Sequence, residues 1–408
     1  MISVDEAQNI VLDSAKVLAL EKVDLLSSLG RVMGEDLVAP FNIPSWDHAA
    51  MDGYAVRFED VRTASPETPV QLNVIGNLPA GYMPKSSVGL LQAFRIMTGA
   101  PIPKGADTVV RKEDTSPSGS TVQIIVAPKP GVNIRKAGEN VKEGDLVIQE
   151  GTILRPPHIG MLASFSKCYV SVYQTPRVAI LSTGDEVTEI DVPKAPYKIV
   201  NSNMYTLSAL VKECGVHPIM LGIARDEKRK IIDNLEQGLG ADVIITTGGV
   251  SMGDYDFVRS ALEEMGAEVT FWKVAMVPGK FTLFGIIAGK LVFGLPGNSS
   301  SCIVAFEQFV RPALLKLMGH THLFRPRVEA ILSENVKKGK DLRYFVRVRL
   351  AYKHGELYAT TTGEQGSGLI KSMVQANGLL IVPEDREEVK AGEKMTVQIL
   401  DRTFELEN

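Results

Sequence analysis

The sequence predicts a multidomain α/β protein: a doubly wound, mainly parallel β-sheet with an inserted β-rich lobe and a small C-terminal β-barrel. The chain has 408 residues, more than one hydrophobic core usually serves. Strand-like and helix-like segments alternate from Pro176 to Leu317, which is typical of a parallel sheet with right-handed crossovers. Short strand-like runs separated by turn residues occur before this region, from Val56 to Val126, and again after His320.

An amphipathic helix is predicted at the start, because Ser3 and Glu6 have capping-box spacing ahead of an apolar stripe. Dense Pro, Gly and Asp residues between Pro40 and Gly53 mark a change of environment and a boundary near Pro44. The predicted parts are an N-terminal helix and linking domain, the inserted lobe, the α/β domain and the barrel: residues 1–44 with 141–175, 45–140, 176–320 and 321–408.

Buried strands are predicted in the α/β domain because runs such as Val243–Thr247 are unbroken and rich in β-branched residues. The predicted strands of this domain are Val178–Leu181, Pro218–Ile223, Val243–Thr247, Val269–Val274 and Leu291–Leu295. The predicted helices are Met204–Cys214, Glu227–Gly238, Phe257–Met265 and Ser301–Leu317. The predicted barrel strands are Val328–Leu332, Tyr344–Leu350, Leu357–Thr361, Leu379–Val382 and Met395–Leu400.

Composition argues against several classes of protein. A formal net charge of −4 lacks the basic excess that nucleic acid or anionic membrane partners favour. The three cysteines are far apart and form no C-x-x-C pair, which argues against a disulfide framework or a structural zinc site. The start is unlike a signal peptide, and no apolar run reaches membrane-spanning length. A reducing, cytoplasmic location is therefore expected.

Polar loops follow four of the predicted strands. These loops are Ser182-Thr183-Gly184-Asp185-Glu186, Arg225-Asp226, Gly248 to Asp256, and Pro296-Gly297-Asn298-Ser299. Glycines beside hydroxyls at strand ends favour phosphate. The acids in these loops would repel phosphate unless Mg²⁺ bridged them, or unless they bind sugar hydroxyls or the amino group of a pterin. With Lys273 and Lys280 supplying positive charge, the pattern suits a phosphorylated, nucleotide-like ligand and a metal ion.

For each loop taken alone, a structural role as a turn or a helix cap is favoured over ligand binding. Four of them at one sheet edge favour a binding site, since the carboxyl ends of parallel strands converge there. The chain has no G-x-x-x-x-G-K-[ST] and no G-x-G-x-x-G, so an ordinary ATPase or dehydrogenase is disfavoured.

Seven motifs together resemble the MoeA family of molybdopterin molybdenumtransferases, whose eukaryotic relatives form the E domain of gephyrin. They are Ser45–Val56 with M-D-G-Y-A, Ile96–Pro103 with M-T-G-A-P-x-P, Ser182–Glu186 with S-T-G-D-E, Thr247–Asp256 with G-G-V-S-x-G-D-x-D, Pro278–Lys280, Leu295–Asn298 and Thr360–Ser367 with G-x-Q-G-S. The resemblance covers almost the whole chain and implies an α/β domain of the molybdopterin-binding type.

The resemblance implies the last step of molybdenum cofactor biosynthesis. Adenylylated molybdopterin would be cleaved to release AMP, with Mg²⁺ as cofactor, and molybdate or tungstate would be inserted at the dithiolene. The implied partners are adenylylated molybdopterin, a second copy of the chain in a homodimer and the adenylyltransferase of the same pathway, with no nucleic acid and no membrane.

Site residues follow from the resemblance position by position. Residues implied to bind the substrate are Thr183, Gly184, Asp185, Gly248, Gly249, Ser251, Gly253, Asp254, Pro296, Gly297 and Asn298. Residues implied in catalysis are Asp52, Thr98, Glu186, Asp226, Asp256 and Lys273, of which Glu186, Asp226 and Asp256 would hold the metal. Residues implied to bind the oxyanion are Lys280, Ser301, Arg347 and Ser367.

The chain departs from the family pattern at Asn140, Val277, Phe281 and Ser299, where the family commonly has aspartate, lysine, proline and proline. The lost lysine weakens the attraction for an oxyanion. Two hypotheses follow: a molybdenum-inserting enzyme, and a non-catalytic molybdopterin-binding or scaffold paralogue. A third, an adenylyltransferase, rests only on the shared G-G-V-S loop, and the additional lobes argue against it.

Overall fold

A computed structural model describes residues 1–193, 195–250, 257–402 and 405. The chain forms two units. The large unit consists of Met1–Gly34, Ile153–Arg155 and Tyr169–Asn408, and the small unit of Glu35–Thr152 and Pro156–Cys168. None of the described helices is both long and apolar enough to span a membrane.

The small unit is built on a mixed sheet of six described strands. In spatial order they are Thr108–Arg111, Gly53–Val56, Gln92–Ile96, Val70–Leu78, Thr121–Ile124 and Thr115–Ser118. Only the pairing of Val70–Leu78 with Gln92–Ile96 is parallel within this described sheet. Shorter described elements are the strands Leu37–Val38, His48–Ala49, Ile134–Arg135 and Leu146–Ile148, and the helices Phe58–Val61, Lys112–Asp114 and Pro156–Ser164.

The large unit is organised around a central sheet of six described strands. In spatial order they are Pro218–Ala224, Val178–Thr183, Val243–Thr247, Lys290–Leu295, Leu283–Ile287 and Glu268–Phe271. The first four run parallel, and the last two are antiparallel to their neighbours. Every residue of Val243–Thr247 is buried, as its unbroken run predicts.

Two details of this sheet differ from the sequence prediction. Strand Leu283–Ile287 was not predicted; it forms a hairpin with Lys290–Leu295 through Ala288 and Gly289, both at positive φ. The predicted strand Val269–Val274 is wrong at its end: the observed strand stops at Phe271, because the Val274 backbone pairs outside the sheet.

Helices cover both faces of the central sheet, which confirms the doubly wound prediction. Apolar side chains of one face pack with Val4–Ser14, Ser202–Glu213 and the helical segment beginning at Ser299. Those of the other face pack with Lys228–Gly238 and Phe257–Glu264. The predicted N-cap is confirmed, since Ser3 Oγ accepts from the Glu6 N–H at 3.1 Å. The segment from Ser299 comprises Ser299–Ala305, a π-helical turn Phe306–Val310 and Arg311–Leu317.

The C-terminal part of the large unit is a closed barrel of five described strands, as predicted. Around the barrel they are Arg343–Lys353, Glu356–Thr361, Arg327–Leu332, Lys394–Ile399 and Gly378–Val382, which pairs back onto the first. The remaining described elements of the large unit are the strands Leu20–Asp24, Tyr169–Tyr173, Val187–Thr188, Ile199–Val200, Met276–Val277, Val336–Lys337 and Glu388–Val389, and the helices Leu26–Ser28 and Ile370–Gln375.

Candidate functional site

A cavity of about 510 Å³ lies at the carboxyl ends of the parallel strands of the large unit. Strand Val178–Thr183 has Pro218–Ala224 on one side and Val243–Thr247 on the other, so the connections after the first two strands run in opposite directions. Such a topological switch point is where open α/β sheets bind ligands. The volume falls within the roughly 300–1,000 Å³ typical of small-molecule sites. This cavity is therefore the candidate functional site.

Loops distant in sequence converge on this cavity. The predicted site residues that line it are Thr183, Gly184, Glu186, Asp226, Gly248, Gly249, Pro296, Gly297 and Asn298. Phe281 and Ser299, two of the departures from the family pattern, line it as well.

Two glycines allow the strand ends to approach closely. Gly248 has φ +92°, and a Cβ there would lie 2.6 Å from the Thr183 carbonyl oxygen. Gly249 has φ +62°, and its Cβ would lie 2.9 Å from Thr183 Oγ1. The Gly248 N–H donates to the Leu295 carbonyl at 3.1 Å, so this amide is committed to the neighbouring strand. The glycine at 248 therefore serves close approach, and its own N–H is not offered to an anion.

Backbone and basic side-chain contacts hold the loops that carry Asp185 and Asp226, and Arg225 Nη1 lies 3.9 Å from Asp185 Oδ1. Asp226 Oδ2 accepts from the Asp185 N–H at 3.1 Å. The Asp185 carbonyl accepts from Arg225 at 3.1 Å and from Lys198 Nζ. Asp185 is exposed and does not line the cavity, whereas Glu186 and Asp226 do. Among the described residues, the acidic ones that line the cavity are thus Glu186 and Asp226.

The two predicted lysines lie beside the aromatic cavity wall. Phe281 lines the cavity, and its ring centroid is 5.7 Å from Lys273 Nζ and 5.9 Å from Lys280 Nζ. Lys273 Nζ also lies 4.0 Å from the Trp272 ring centroid, within cation–π range. The rings of Trp272 and Phe281 therefore hold positive charge next to the cavity.

Residues at the start of helix Ser202–Glu213 line the cavity and were missed by sequence reasoning. Asn203 Nδ2 donates to Thr247 Oγ1 at 2.9 Å and to the Gly297 carbonyl at 2.8 Å. Asn201 is the N-cap of this helix. The available signal was N-S-N ahead of an apolar helical stripe, which by itself indicates only a cap.

The predicted oxyanion residues form a second cluster next to Asn298. Asn298 Nδ2 donates to Ser367 Oγ at 3.0 Å, and the Ser301 N–H donates to the Ser367 carbonyl at 3.3 Å. Lys280 follows Gly279, whose Cβ position would lie 3.6 Å from the Ser301 carbonyl oxygen. None of Lys280, Ser301 and Ser367 lines the described cavity itself.

Arg347 belongs to the same cluster and is 1% exposed. Its Nε donates to Ser372 Oγ at 2.7 Å, and its Nη2 donates to the Gly366 carbonyl at 2.9 Å. Burial lowers the pKa of the Arg347 guanidinium, and no carboxylate among the described residues pairs with it. The segment carrying Ser367 is thus held by a buried guanidinium that has no carboxylate partner in the described ranges.

Comparison with known proteins identifies the family. Three family models match: the MoeA N-terminal region (domain I and II) at residues 2–166, a probable molybdopterin binding domain at 179–316, and the MoeA C-terminal region (domain IV) at 329–400. A molybdopterin molybdenumtransferase from Bacillus subtilis is 37% identical over 98% of this chain and 94% of its own length. One from a Nostoc species is 35% identical over 97% of this chain and 93% of its own length.

The chain belongs to the MoeA family of molybdopterin molybdenumtransferases. A molybdopterin biosynthesis MoeA protein from Pyrococcus horikoshii has a similar structure, with TM-score 0.87 and 32% identity, covering 98% of this chain and 100% of that one. The predictions of this family, of a transferase and of a role in molybdenum cofactor biosynthesis are confirmed.

Two residues predicted for MoeA-family catalysis, Asp52 and Thr98, belong to the small unit. Asp52 Oδ1 accepts from the Thr98 N–H at 2.8 Å and from Thr98 Oγ1 at 2.7 Å. These two bonds, the backbone one first, hold the pKa of Asp52 below its ordinary value, with Lys112 and Arg95 adding to the effect. Asp52 is therefore kept ionised by its neighbours.

Four predicted residues, Ser251, Gly253, Asp254 and Asp256, lie outside the described residues. Within the described ranges no group of three His, Cys, Asp or Glu side chains converges to hold a metal ion. Of the predicted metal ligands, Glu186 and Asp226 are described, and both line the cavity.

Proposed function

We propose that this MoeA-family chain binds adenylylated molybdopterin in the switch-point cavity, cleaves its diphosphate and inserts molybdate. Water would break one P–O bond of the P–O–P bridge, so that AMP leaves with one phosphate and molybdopterin keeps the other. Two Mo–S bonds would form at the dithiolene as an oxo group leaves molybdate as water. One observation carries the proposal: a single cavity has Glu186 and Asp226 on its wall and two lysines beside its Phe281 ring.

Glu186 and Asp226 fit a magnesium site shared with substrate. Mg²⁺ is usually held by one or two carboxylates together with substrate phosphates, and two carboxylates are what the described wall offers. When bound, the ion would supply positive charge to the diphosphate oxygens. The Asp185 N–H, which donates to Asp226 at 3.1 Å, fixes the orientation of that carboxylate. Asp256, which the resemblance adds to this set, is proposed as a third ligand.

The lysines would bind the anionic groups of the substrate. Lys273 and Lys280 are held against the Phe281 ring, where a cation–π contact contributes about 0.5–2 kcal/mol. Lys273 is proposed to stabilise the diphosphate as its charge develops. Preorganised charge of this kind requires no reorganisation at the moment of reaction.

The second cluster is proposed to receive the oxoanion, molybdate or tungstate. The Ser301 N–H donates to the Ser367 carbonyl, and Gly279, the residue before Lys280, lies beside the Ser301 carbonyl. Arg347 is buried and already donates to the segment around Ser367, so it would orient that segment and supply a positive field. The link from Asn298 to Ser367 connects this cluster to the cavity wall.

Several finer points are proposed from the family resemblance. The chain would act as a cytoplasmic homodimer, receive its substrate from the adenylyltransferase of the pathway and use Asp52 and Thr98 in the shared cleft. The bonds from Thr98 that keep Asp52 ionised are consistent with a charged role for this carboxylate. The four-part domain division also remains a proposal.

The test is AMP release from adenylylated molybdopterin by the purified chain with Mg²⁺ and molybdate, followed by chromatography. Asp226→Asn and Lys273→Ala should each lower the rate by about 10²-fold or more. Asp233→Asn, a carboxylate replaced in the following helix and outside the cavity, is the matched control and should keep the rate. A tungstate arm identifies the preferred oxoanion.

Two results would speak against the proposal. Tight binding of adenylylated molybdopterin without AMP release would favour the scaffold hypothesis suggested by Val277 and Asn140. Unchanged AMP release by both Asp226→Asn and Lys273→Ala would place the chemistry elsewhere.

A further inference from the structure

We infer that the side-chain amides of Asn201 and Asn203 recognise the edge of a ligand heterocycle that carries a hydrogen-bond acceptor and a donor. The inference rests on the proposed function for the identity of the cavity. These two asparagines would form hydrogen bonds to the ring of the ligand, whereas the residues described above would bind its phosphates.

The Asn201 amide has a fixed orientation. Its Oδ1 accepts from Ser182 Oγ at 2.8 Å and from the Met204 N–H at 3.4 Å. Turning the amide over would set its NH₂ group against the Met204 N–H, a donor facing a donor. Asn201 Nδ2 is therefore a donor only, and it has no hydrogen-bond partner in the described part of the chain.

The Asn203 amide is fixed in the opposite sense. Both hydrogens of its Nδ2 are used, by Thr247 Oγ1 at 2.9 Å and by the Gly297 carbonyl at 2.8 Å. The Gly297 carbonyl can only accept, so the amide cannot turn over. Its Oδ1, which bonds to none of the described residues, is left as an acceptor.

Both residues line the same cavity, and among the described residues one is left with a committed donor and the other with a committed acceptor. Asn201 is 3% exposed, and a buried donor without a partner is unfavourable until a ligand supplies an acceptor. The Thr183 hydroxyl is also buried, unpaired among the described residues and part of the lining. Of the six such buried atoms in the described ranges, these two lie at the cavity. A ligand bound in the cavity would supply partners for both atoms, because buried polar groups in folded proteins are nearly always hydrogen-bonded.

An amide-like edge fits this pattern, with a carbonyl or ring nitrogen facing Asn201 and an N–H facing Asn203. The lactam edge of a pterin has this chemistry, and so does the amino-pyrimidine edge of adenine. The Asn203 amide is also bonded to the Gly297 loop, so its acceptor is held rigidly. Rigid placement of committed polar groups is what gives a site its power to reject analogues.

The decisive variant is Asn201→Asp. It keeps an oxygen for both Ser182 and Met204, preserving the helix cap, and replaces the unpaired donor by an acceptor that carries a negative charge. Binding of two probes, 6-hydroxymethylpterin and AMP, is measured by titration calorimetry. We expect the affinity for the pterin to fall at least tenfold, about 1.4 kcal/mol, and that for AMP to stay within twofold.

Two further variants control for the added charge and for the loss of a buried polar group outside the cavity. Asn201→Ser keeps a capping oxygen, introduces no charge and should show the same loss. Ser208→Ala removes another buried, unpaired hydroxyl from the same helix but outside the cavity, and should leave both affinities unchanged. Thermal unfolding verifies that each variant is folded.

The outcomes separate the inference from the proposed function. Loss of AMP affinity with unchanged pterin affinity would support the edge recognition and assign it to the adenine. Unchanged affinity for both probes in folded Asn201→Asp and Asn201→Ser, or no binding of either probe by the unmodified chain, would overturn it. The proposed function would still stand if AMP release continued at the normal rate.

Discussion

Replacing Gly248 by alanine should damage the cavity more than the same replacement at the other described glycines that line it. The residue has φ +92°, which alanine rarely adopts, and the new Cβ would lie 2.6 Å from the Thr183 carbonyl oxygen. That oxygen belongs to the backbone of the neighbouring parallel strand, which pairs Ser182 with Thr247. The clash can be relieved only by separating two strand ends at the cavity floor.

The magnitude follows from the geometry. Real Cβ contacts are essentially never closer than 3.0 Å, so the strand ends must part by at least about 0.4 Å. An unfavourable backbone conformation contributes about 1–3 kcal/mol. Overpacking contributes a similar amount, about 1–3 kcal/mol. Because a 1 Å displacement can lower a rate by about 10²-fold, this smaller shift should lower AMP release by roughly tenfold.

The assay compares Gly248→Ala with Gly240→Ala. Gly240 precedes the same strand at its other end, has no heavy atom within 4 Å of its Cβ position and no positive φ. Urea unfolding should show a loss for Gly248→Ala and either no change or a gain of about 0.4–1 kcal/mol for Gly240→Ala. Equal stability and equal AMP release in the two variants would refute the argument that close approach requires a glycine at 248.

Three further predictions concern other parts of the chain. Arg325→Met should lower the free energy of unfolding in urea by about 3–5 kcal/mol, because it leaves a carboxylate that is 1% exposed without its main partner; a loss below 1 kcal/mol would contradict this. Thr98→Val should raise the pKa of Asp52 toward its ordinary value in an NMR titration, since the hydroxyl bond is lost. Because the pKa of Asp52 is lower in the folded than in the unfolded protein, the ionised carboxylate stabilises the fold above the unfolded pKa. This stabilisation is lost as the pH falls through the folded pKa, so Thr98→Val should lose it at a higher pH than the parent. Burial raises the pKa of Cys302 to about 12, so iodoacetamide at pH 8 should label exposed Cys168 and spare Cys302, as read by peptide mass spectrometry.

The central sheet could be predicted because three of its four parallel strands are almost entirely buried and appear as nearly unbroken runs of apolar and β-branched residues. The hairpin strand Leu283–Ile287 was missed for two reasons. Gly285 interrupts the run, and the two-residue turn at Ala288-Gly289 lacks the asparagine or aspartate that usually signals a hairpin. Its place is fixed instead by pairing with Lys290–Leu295 and by the packing of Phe284 on Phe293. Such tertiary contacts are invisible in local sequence.

The candidate site was predictable where it follows from topology. Loops after parallel strands must meet at one edge, and the residues of four predicted loops do so around the cavity. Asn201 and Asn203 were not predictable, because an asparagine ahead of a helix is explained sufficiently as a cap. Which atom of an amide is left for a ligand depends on partners distant in sequence, Ser182 for one and Gly297 for the other.

The order of strands also arranges the charges of the site. Asp226 follows the edge strand and Glu186 the next one, while the glycine turn and Asn298 follow the two strands after that. Strand Leu283–Ile287 is antiparallel to its neighbour, so its start, next to Phe281, lies at the edge where the parallel strands end.

Lys273 lies at that edge as well. Strand Glu268–Phe271 is antiparallel in turn, so its end, just before Lys273, reaches the same side. Without the hairpin, a sheet continued in parallel would place the start of the fifth strand at the opposite edge, away from the acids. The hairpin is thus what brings Phe281, with Lys280 beside its ring, to the same edge as Lys273. Lysines then lie at one end of the row and carboxylates at the other, with glycines between. A ligand with a metal-bound diphosphate and a second anionic group would therefore be oriented along the row by charge alone.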